Sequence, residues 1–454
     1  MRKKTYEKPI IQKLQTGFMN KMGIFSTFYT QRFRSDIEGI PIKELIKKFG
    51  SPLFVFSEKN LRRKFRELKN IFENQYPNIE FSWSYKTNYL SAICAILHQE
   101  GETAEVVSDF EYEKARNLGV PGEKIIFNGP YKPYSILKRA VQEGARINID
   151  SFEEIVDLER IAQELNKKIK VGIRLNMDTG IYPQWNRFGF NLENGQALDA
   201  VKRIAMGGLL EINGLHCHQG TFILEPASYA ILVEKMVDFA YKLEEEFNYS
   251  IEYLDIGGGF PSRNRLKGIY LPPETIIPPL SEFAEKIGQA LLSKLKPGDY
   301  PKLILECGRA LVDESGFLIT TVVSSKRLPD GRKAYVIDAG VNLLYTSYWY
   351  QFHIETDHQV IGAPEPCVIY GPLCMNIDVI DDFVYLPPLS KGNHLILWPV
   401  GAYNVTQWMQ FITYRPAVVL ISERGEVEII REKENLDDIL SKERLPENLM
   451  LYES

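Results

Sequence analysis

The strongest constraint on how this chain folds is an alternation, running from residue 81 to residue 307, of short strand-like runs with longer amphipathic ones. The strand-like runs are FSWSYK (81–86), AEVVS (104–108), KIIFNG (124–129), RINID (146–150), KVGIRLN (170–176), INGLHCH (212–218), EYLDIGG (252–258) and KLILEC (302–307). Between them lie stretches such as FEEIVDLERIAQEL and LSEFAEKIGQALLSKLK, whose apolar residues recur at three- and four-residue spacing. Eight strand-helix units predict an α/β fold, a TIM-like (β/α)8 barrel, which takes about 250 residues and builds its active site from the loops after the carboxyl ends of its strands. A chain of 454 residues leaves room for a companion domain.

That companion is readable after about residue 310. GFLITTVVSSK, KAYVIDAG, PCVIYG, HLILWPV, AVVLISE and EVEIIRE are strand-like and separated by turn residues, which predicts an all-β C-terminal domain over 310–454. Residues 1–35 show no clear periodicity and read as an N-terminal extension, an arm on the body or a frayed tail. The 54 Lys and Arg against 59 Asp and Glu give 54 minus 59, a net charge of -5, with no basic footprint for nucleic acid. No apolar run reaches the roughly 18 residues of a membrane span, and the opening MRKKTYEKP is not followed by an apolar signal core, so a cytoplasmic protein is expected. Five scattered cysteines without a CxxC pair argue against a disulfide framework and against a structural zinc site.

The chemistry is sought at the strand ends. Lys86, closing the first barrel strand, is either a solvated surface lysine or, given its apolar neighbours, a partly desolvated amine able to form a Schiff base. His216 and His218 share one face of the sixth strand. A metal would want a third ligand close by and none is evident, so no metal is expected, and a buried or ring-stacking histidine is the better reading. Gly257, Gly258 and Gly259 after the seventh strand suit either a tight turn or a phosphate held by backbone N–H groups. Glu306 and Arg309 after the eighth are a structural ion pair, or part of a set with Lys86 and the glycines: acid for a ring nitrogen, donors for a phosphate, lysine for an aldehyde.

The motifs SYKTN (84–88), GLHCHQGT (214–221), GGGFP (257–261), ECGRALV (306–312), GPLCMNIDV (371–379) and GAYN (401–404) resemble, in this order, the pyridoxal-phosphate-dependent ornithine, diaminopimelate and arginine decarboxylases of the alanine-racemase-like fold, over about residues 36–425. The resemblance implies a barrel over 57–309 that binds pyridoxal 5'-phosphate, a strand region at 36–56 joining the β domain, and a head-to-tail homodimer with shared active sites. It implies further that Lys86 holds the cofactor, His218 stacks on its ring, Glu306 pairs with the ring nitrogen, and Gly258, Gly259, Gly308, Arg309 and Tyr403 surround the phosphate. Cys374, from the other subunit, would be the proton donor, with Asp378 in the same loop, and His216 a neighbour without a direct role. A carboxylate beside the ring nitrogen keeps it protonated and makes the ring an electron sink, which favours loss of the α-carboxylate over racemisation. An amino-acid racemase, or a cofactor-binding pseudoenzyme acting as a regulatory partner, is the alternative.

Two departures bear on the substrate. The decarboxylases resembled here carry an acid after the cysteine of the GPxC motif, for the substrate's distal amine; here Met375 stands there, and a thioether cannot pair with an ammonium group. Where the diaminopimelate enzymes carry an arginine for the distal carboxylate, DAGVNLLYTSYWYQ (338–351) has none, and Tyr345 and Tyr348 offer only hydroxyls and rings. The expected amino-acid substrate is therefore neither meso-diaminopimelate nor ornithine, but one with a less charged, larger or carrier-linked side chain.

Overall fold

The computed structural model describes residues 33–269 and 271–449. The expectation of an N-terminal extension over 1–35 falls almost wholly on residues outside this range. Eight parallel strands close a barrel: Ile79–Ser84, Thr103–Val106, Ile125–Phe127, Arg146–Ile149, Ile169–Asn176, Leu210–Cys217, Tyr253–Asp255 and Lys302–Cys307. Each pairs with the next, and the last pairs back with the first. All eight coincide with the strand-like runs of the sequence to within two or three residues. The amphipathic stretches between them are helices: Phe152–Leu165, for instance, starts where the Ser151 hydroxyl accepts from Glu154 N and ends at Asn166 in the left-handed region.

The barrel axis is filled by a polar ladder rather than by aliphatic layers alone. Cβ atoms at Gly172 and Gly214 would lie 2.3 and 2.0 Å from the Tyr253 side chain, so these two glycines make room for that ring inside the barrel. Its hydroxyl donates to Asn148 Oδ1 (2.9 Å), and Asn148 Nδ2 donates to Asn128 Oδ1 (2.8 Å). Asn128 in turn donates to Glu105 and Glu306, which carries the ladder to the carboxyl ends of the strands. At the opposite end Glu80 is clasped by Arg146 and Lys302, which ties the first, fourth and eighth strands together.

A second sheet packs beside the barrel. Gly316–Arg327 pairs antiparallel with Leu53–Ser57, Lys333–Ile337 and His394–Trp398, and Val418–Ile421 runs parallel to Leu53–Ser57. Glu365–Tyr370 and Val427–Arg431 extend it, and strands His353–Thr356 and Val379–Leu386, which the sequence pattern does not single out, complete it. This sheet reaches into the barrel mouth through residues 401–404: Tyr403 N donates to Thr87 O (2.8 Å), and Asn88 Nδ2 donates to Gly401 O (3.0 Å). The turn that carries Lys86 is thus held by both sheets. Among the described residues no helix is long and apolar enough to cross a membrane.

Candidate active site

A cavity of about 530 Å³ opens at the carboxyl ends of the barrel strands, with Lys86, His218, Glu306, Arg309 and Tyr403 in its wall. Gly259 and Gly308 line a smaller adjoining cavity that shares Lys86, His218, Glu306, Arg309 and Tyr403 with it. Seven of the eight residues expected to bind the cofactor therefore meet at one place, although they come from five separate segments of the chain.

Lys86 lies just past its strand, in the short 3-10 turn Tyr85–Thr87, and its amine reaches the wholly buried Glu105 (Nζ to Oε2, 2.5 Å). Burial alone would lower the Lys86 amine, but Glu105, Glu306 and Tyr403 outweigh it and hold it above the ordinary lysine value. Its side chain keeps 35% of its surface exposed, all the same, because it opens into the cavity. Glu105 is a residue the sequence reading missed; it also accepts from the Ser84 hydroxyl at 2.6 Å.

At the floor, His216 is joined by two acids and not by His218. His216, Asp255 and Glu306 bring donor atoms within 4.8 Å of one another, all buried, because adjacent strands six, seven and eight end side by side. Glu306 Oε1 lies 3.3 Å from His216 Nε2, without the alignment of a hydrogen bond. Burial would raise Glu306, but His216 and the Lys86 ammonium hold it well below the usual carboxylate range; burial and the neighbouring Glu306 push Asp255 well up. One carboxyl of the pair stays charged and the other keeps its proton. His218 is neutral, pushed down to about 3 chiefly by burial. Its Nδ1 accepts from Gly258 N (3.0 Å), which assigns the ring proton to Nε2.

That bond corrects the role expected of Gly258. Its N–H is spent on His218, not on a phosphate, and it is absent from the cavity wall because its Cα is pressed against the Glu306 carbonyl, 2.1 Å from where a Cβ would lie. Two further expectations, Tyr345 and Tyr348, are corrected. Tyr345 and Tyr348 point away from the cavity and are exposed, whereas Thr346, Trp349 and Tyr350 line it. The segment Tyr345–Tyr348 winds as a 3-10 turn, whose side chains eclipse at i and i+3, so 346 and 349 share the inward face and 345 and 348 the outward one. Asp378 does not face the cavity either: its carboxylate accepts from Val341 N (2.8 Å) and Leu373 N (2.7 Å) and braces its own loop. Met375, half-buried, is likewise outside the cavity of its own chain, as is the exposed Cys374 on the same loop.

The donors left over around the smaller cavity describe the group that fits there. Arg309 is buried against Tyr350 (4.4 Å to the ring centre) and Tyr403 (5.1 Å) and donates to Asp313 through Nη1, yet its Nε has no partner. The buried Thr87 hydroxyl has none either. They flank Gly259 and Gly308, where Cβ atoms would meet Gly220 O at 2.5 Å and Thr87 Oγ1 at 2.4 Å, so no larger residue leaves this cradle open. Unpaired donors around a glycine cradle, with a lysine amine and an ionised carboxylate farther along one cavity, match a phosphorylated pyridine aldehyde.

Comparison with known proteins agrees. Residues 58–313 match the pyridoxal binding domain of the pyridoxal-dependent decarboxylases. The chain is 31% identical over 431 residues to the diaminopimelate decarboxylase of Methanocaldococcus jannaschii, covering 91% of this chain and 96% of the relative. It is 31% identical to that of Aquifex aeolicus, covering 89% and 94%. The crystal structure of the M. jannaschii enzyme superposes with a TM-score of 0.83 at 30% identity, over 91% of this chain and 97% of that one. That of the Helicobacter pylori enzyme complexed with L-lysine superposes at 0.77 and 25%, over 88% and 98%. A match of this extent, on a site built in this way, places the chain in the fold-type III pyridoxal-dependent decarboxylases, as a carboxy-lyase that uses pyridoxal phosphate.

Proposed function

We propose that this enzyme removes the α-carboxylate of an amino acid whose side chain carries no distal charge. One observation carries the reading: among the described residues, every cation in the cavity wall already faces a carboxylate. Lys86 is paired with Glu105, Arg174 with Asp150 (3.2 Å) and Arg309 with Asp313 (3.1 Å). The two acids in the wall, Glu105 and Glu306, belong to the cofactor end. The rest of the wall includes the apolar Val107, Pro130, Phe188, Phe222 and Leu266, and its polar members Asn128, Thr221, Thr346 and Gln407 carry no charge to pair with an ammonium or a carboxylate. Met375, in the loop proposed to come from a second subunit, adds no charge.

When bound, pyridoxal phosphate supplies the sink for the electron pair left by departing carbon dioxide. The chain's own part is then as follows. Lys86 would anchor the cofactor, with Glu105 beside it to hold the proton that Lys86 gives up. Glu306 would pair with the ring nitrogen, with Asp255 and His216 packed against it. His218 would pack, uncharged, against the ring. Gly259, Gly308, Thr87, Arg309 and Tyr403 would hold the phosphate. Cys374 of the second subunit in a head-to-tail homodimer donates the proton to Cα. The strongly exposed Tyr348, Ile377 and Ile412, at 77%, 68% and 61%, support a covered surface around that loop.

The test is carbon dioxide release from a panel of amino acids by the purified holoenzyme. Turnover of uncharged or carrier-linked side chains, with meso-diaminopimelate, lysine and ornithine far slower, is the expected outcome. Turnover of meso-diaminopimelate at full rate and ordinary concentration would refute the reading.

A further inference from the structure

We propose that Trp185 positions His218 and sets the side-chain preference of the site. The second half rests on the reading that the substrate side chain is uncharged; the first does not.

Trp185 sits in the loop that follows the fifth barrel strand, and that loop is fastened at several points. Asn176 Nδ2 donates to Phe188 O (2.7 Å) and Gly189 O (3.2 Å), Leu224 N donates to the Tyr182 hydroxyl (2.9 Å), and Lys235 Nζ donates to Asp178 O (2.7 Å). The indole is therefore held rather than draped over the opening. It meets the His218 imidazole edge to face, with centroids 5.4 Å apart and planes at 66°.

Three contacts hold the His218 ring. Gly258 N donates to Nδ1 and so sets rotation about the Cβ–Cγ bond. Gly257 packs against the ring so closely that an added Cβ would fall 2.4 Å from Nδ1. The indole is the one side chain among the three, and it can be altered without moving the glycine turn.

The same indole, 6.0 Å from Phe188, forms part of the cavity wall. Phe188 carries the Arg174 guanidinium at 4.4 Å over its ring, and Arg174 is committed to Asp150. A substrate side chain arriving here meets ring surface and no free charge, which selects apolar or flat groups.

The experiment compares holoenzyme with Trp185→Phe and Trp185→Ala. Cofactor retention is read by absorbance after dilution, without substrate, and KM and kcat are then measured on the uncharged substrate that the panel identifies. An edge-to-face pair is worth about two- to tenfold in an equilibrium constant. Trp185→Ala is therefore expected to release cofactor about two- to tenfold more readily and to raise KM more than it lowers kcat. Trp185→Phe, which keeps a ring, should restore retention to within about twofold. Unchanged retention in Trp185→Ala, or Trp185→Phe as poor as Trp185→Ala, would overturn the positioning role, and an unchanged KM would overturn the specificity role. Because retention is measured without substrate, it survives if the uncharged-substrate reading fails, so the two failures are distinguishable.

Discussion

Replacing Glu105 by Gln removes the charge nearest Lys86 while keeping the shape of the side chain. Glu105 is fully buried and accepts from Lys86 (2.5 Å), Ser84 (2.6 Å) and Asn128 (3.2 Å), so an amide in its place turns one acceptor into a donor facing other donors. Leaving one member of a buried ion pair alone costs about 3–5 kcal/mol. Lys86 is 35% exposed to the cavity and keeps Glu306 nearby, so solvent screening reduces the expected loss to about 2 kcal/mol. The sign follows from the raised amine. Its stabilising contribution is complete below the free-lysine value of about 10.4 and fades only as pH rises through the folded value, so at neutral pH the whole loss is felt. Cofactor-free Glu105→Gln should melt roughly 2 °C below the parent. It should also capture pyridoxal phosphate down to a lower pH, since burial, which favours the neutral amine, is then less opposed. Differential scanning calorimetry and absorbance titrations across pH measure both. A melting temperature within about 1 °C of the parent, with an unshifted capture profile, would refute the assignment of Glu105 as the counter-ion of Lys86.

Glu80 is pushed down to about 2 because Arg146 and Lys302 outweigh the burial that would raise it, so its contribution of about 3 kcal/mol is present above pH 4.5 and lost as pH falls towards 2. Glu80→Gln should be less stable at neutral pH and flatter over that acid range, by urea titration at several pH values. Gly258→Ala would place a Cβ 2.1 Å from the Glu306 backbone oxygen and must displace strand ends, so cofactor retention is expected to fall more than about tenfold in a folded protein. Mixing inactive Lys86→Ala with inactive Cys374→Ala should recover part of the activity through hybrid dimers, and no recovery after verified subunit exchange would count against a shared site.

The barrel was legible because its evidence is local: each strand is a short apolar run and each helix an amphipathic one, so periodicity marks both. The cofactor end was legible through residue types that stand at strand ends, as Lys86, His218, Glu306 and Arg309 do. Three kinds of feature were not. Glu105 lies inside a strand-like run, AEVVS, and nothing in its neighbours marks that it faces the lysine from an adjacent strand. Asp255 is not marked by its neighbours in EYLDIGG, because its place beside Glu306 and His216 depends on the register of three strands. Tyr345 and Tyr348 were chosen over Thr346 and Tyr350 since a run of aromatic residues has no visible inward face until its 3-10 winding is known. Gly258 was misread because its N–H is spent on the His218 ring, a commitment that only the fold reveals.

Whether the substrate carries a charge at its far end is read most directly from the mass of the substrate–cofactor adduct left after borohydride reduction of enzyme isolated with its ligand in place. The expected adduct has a side chain that holds neither a second amine nor a second carboxylate. An adduct with the mass of meso-diaminopimelate, lysine or ornithine joined to the cofactor would contradict the proposed function.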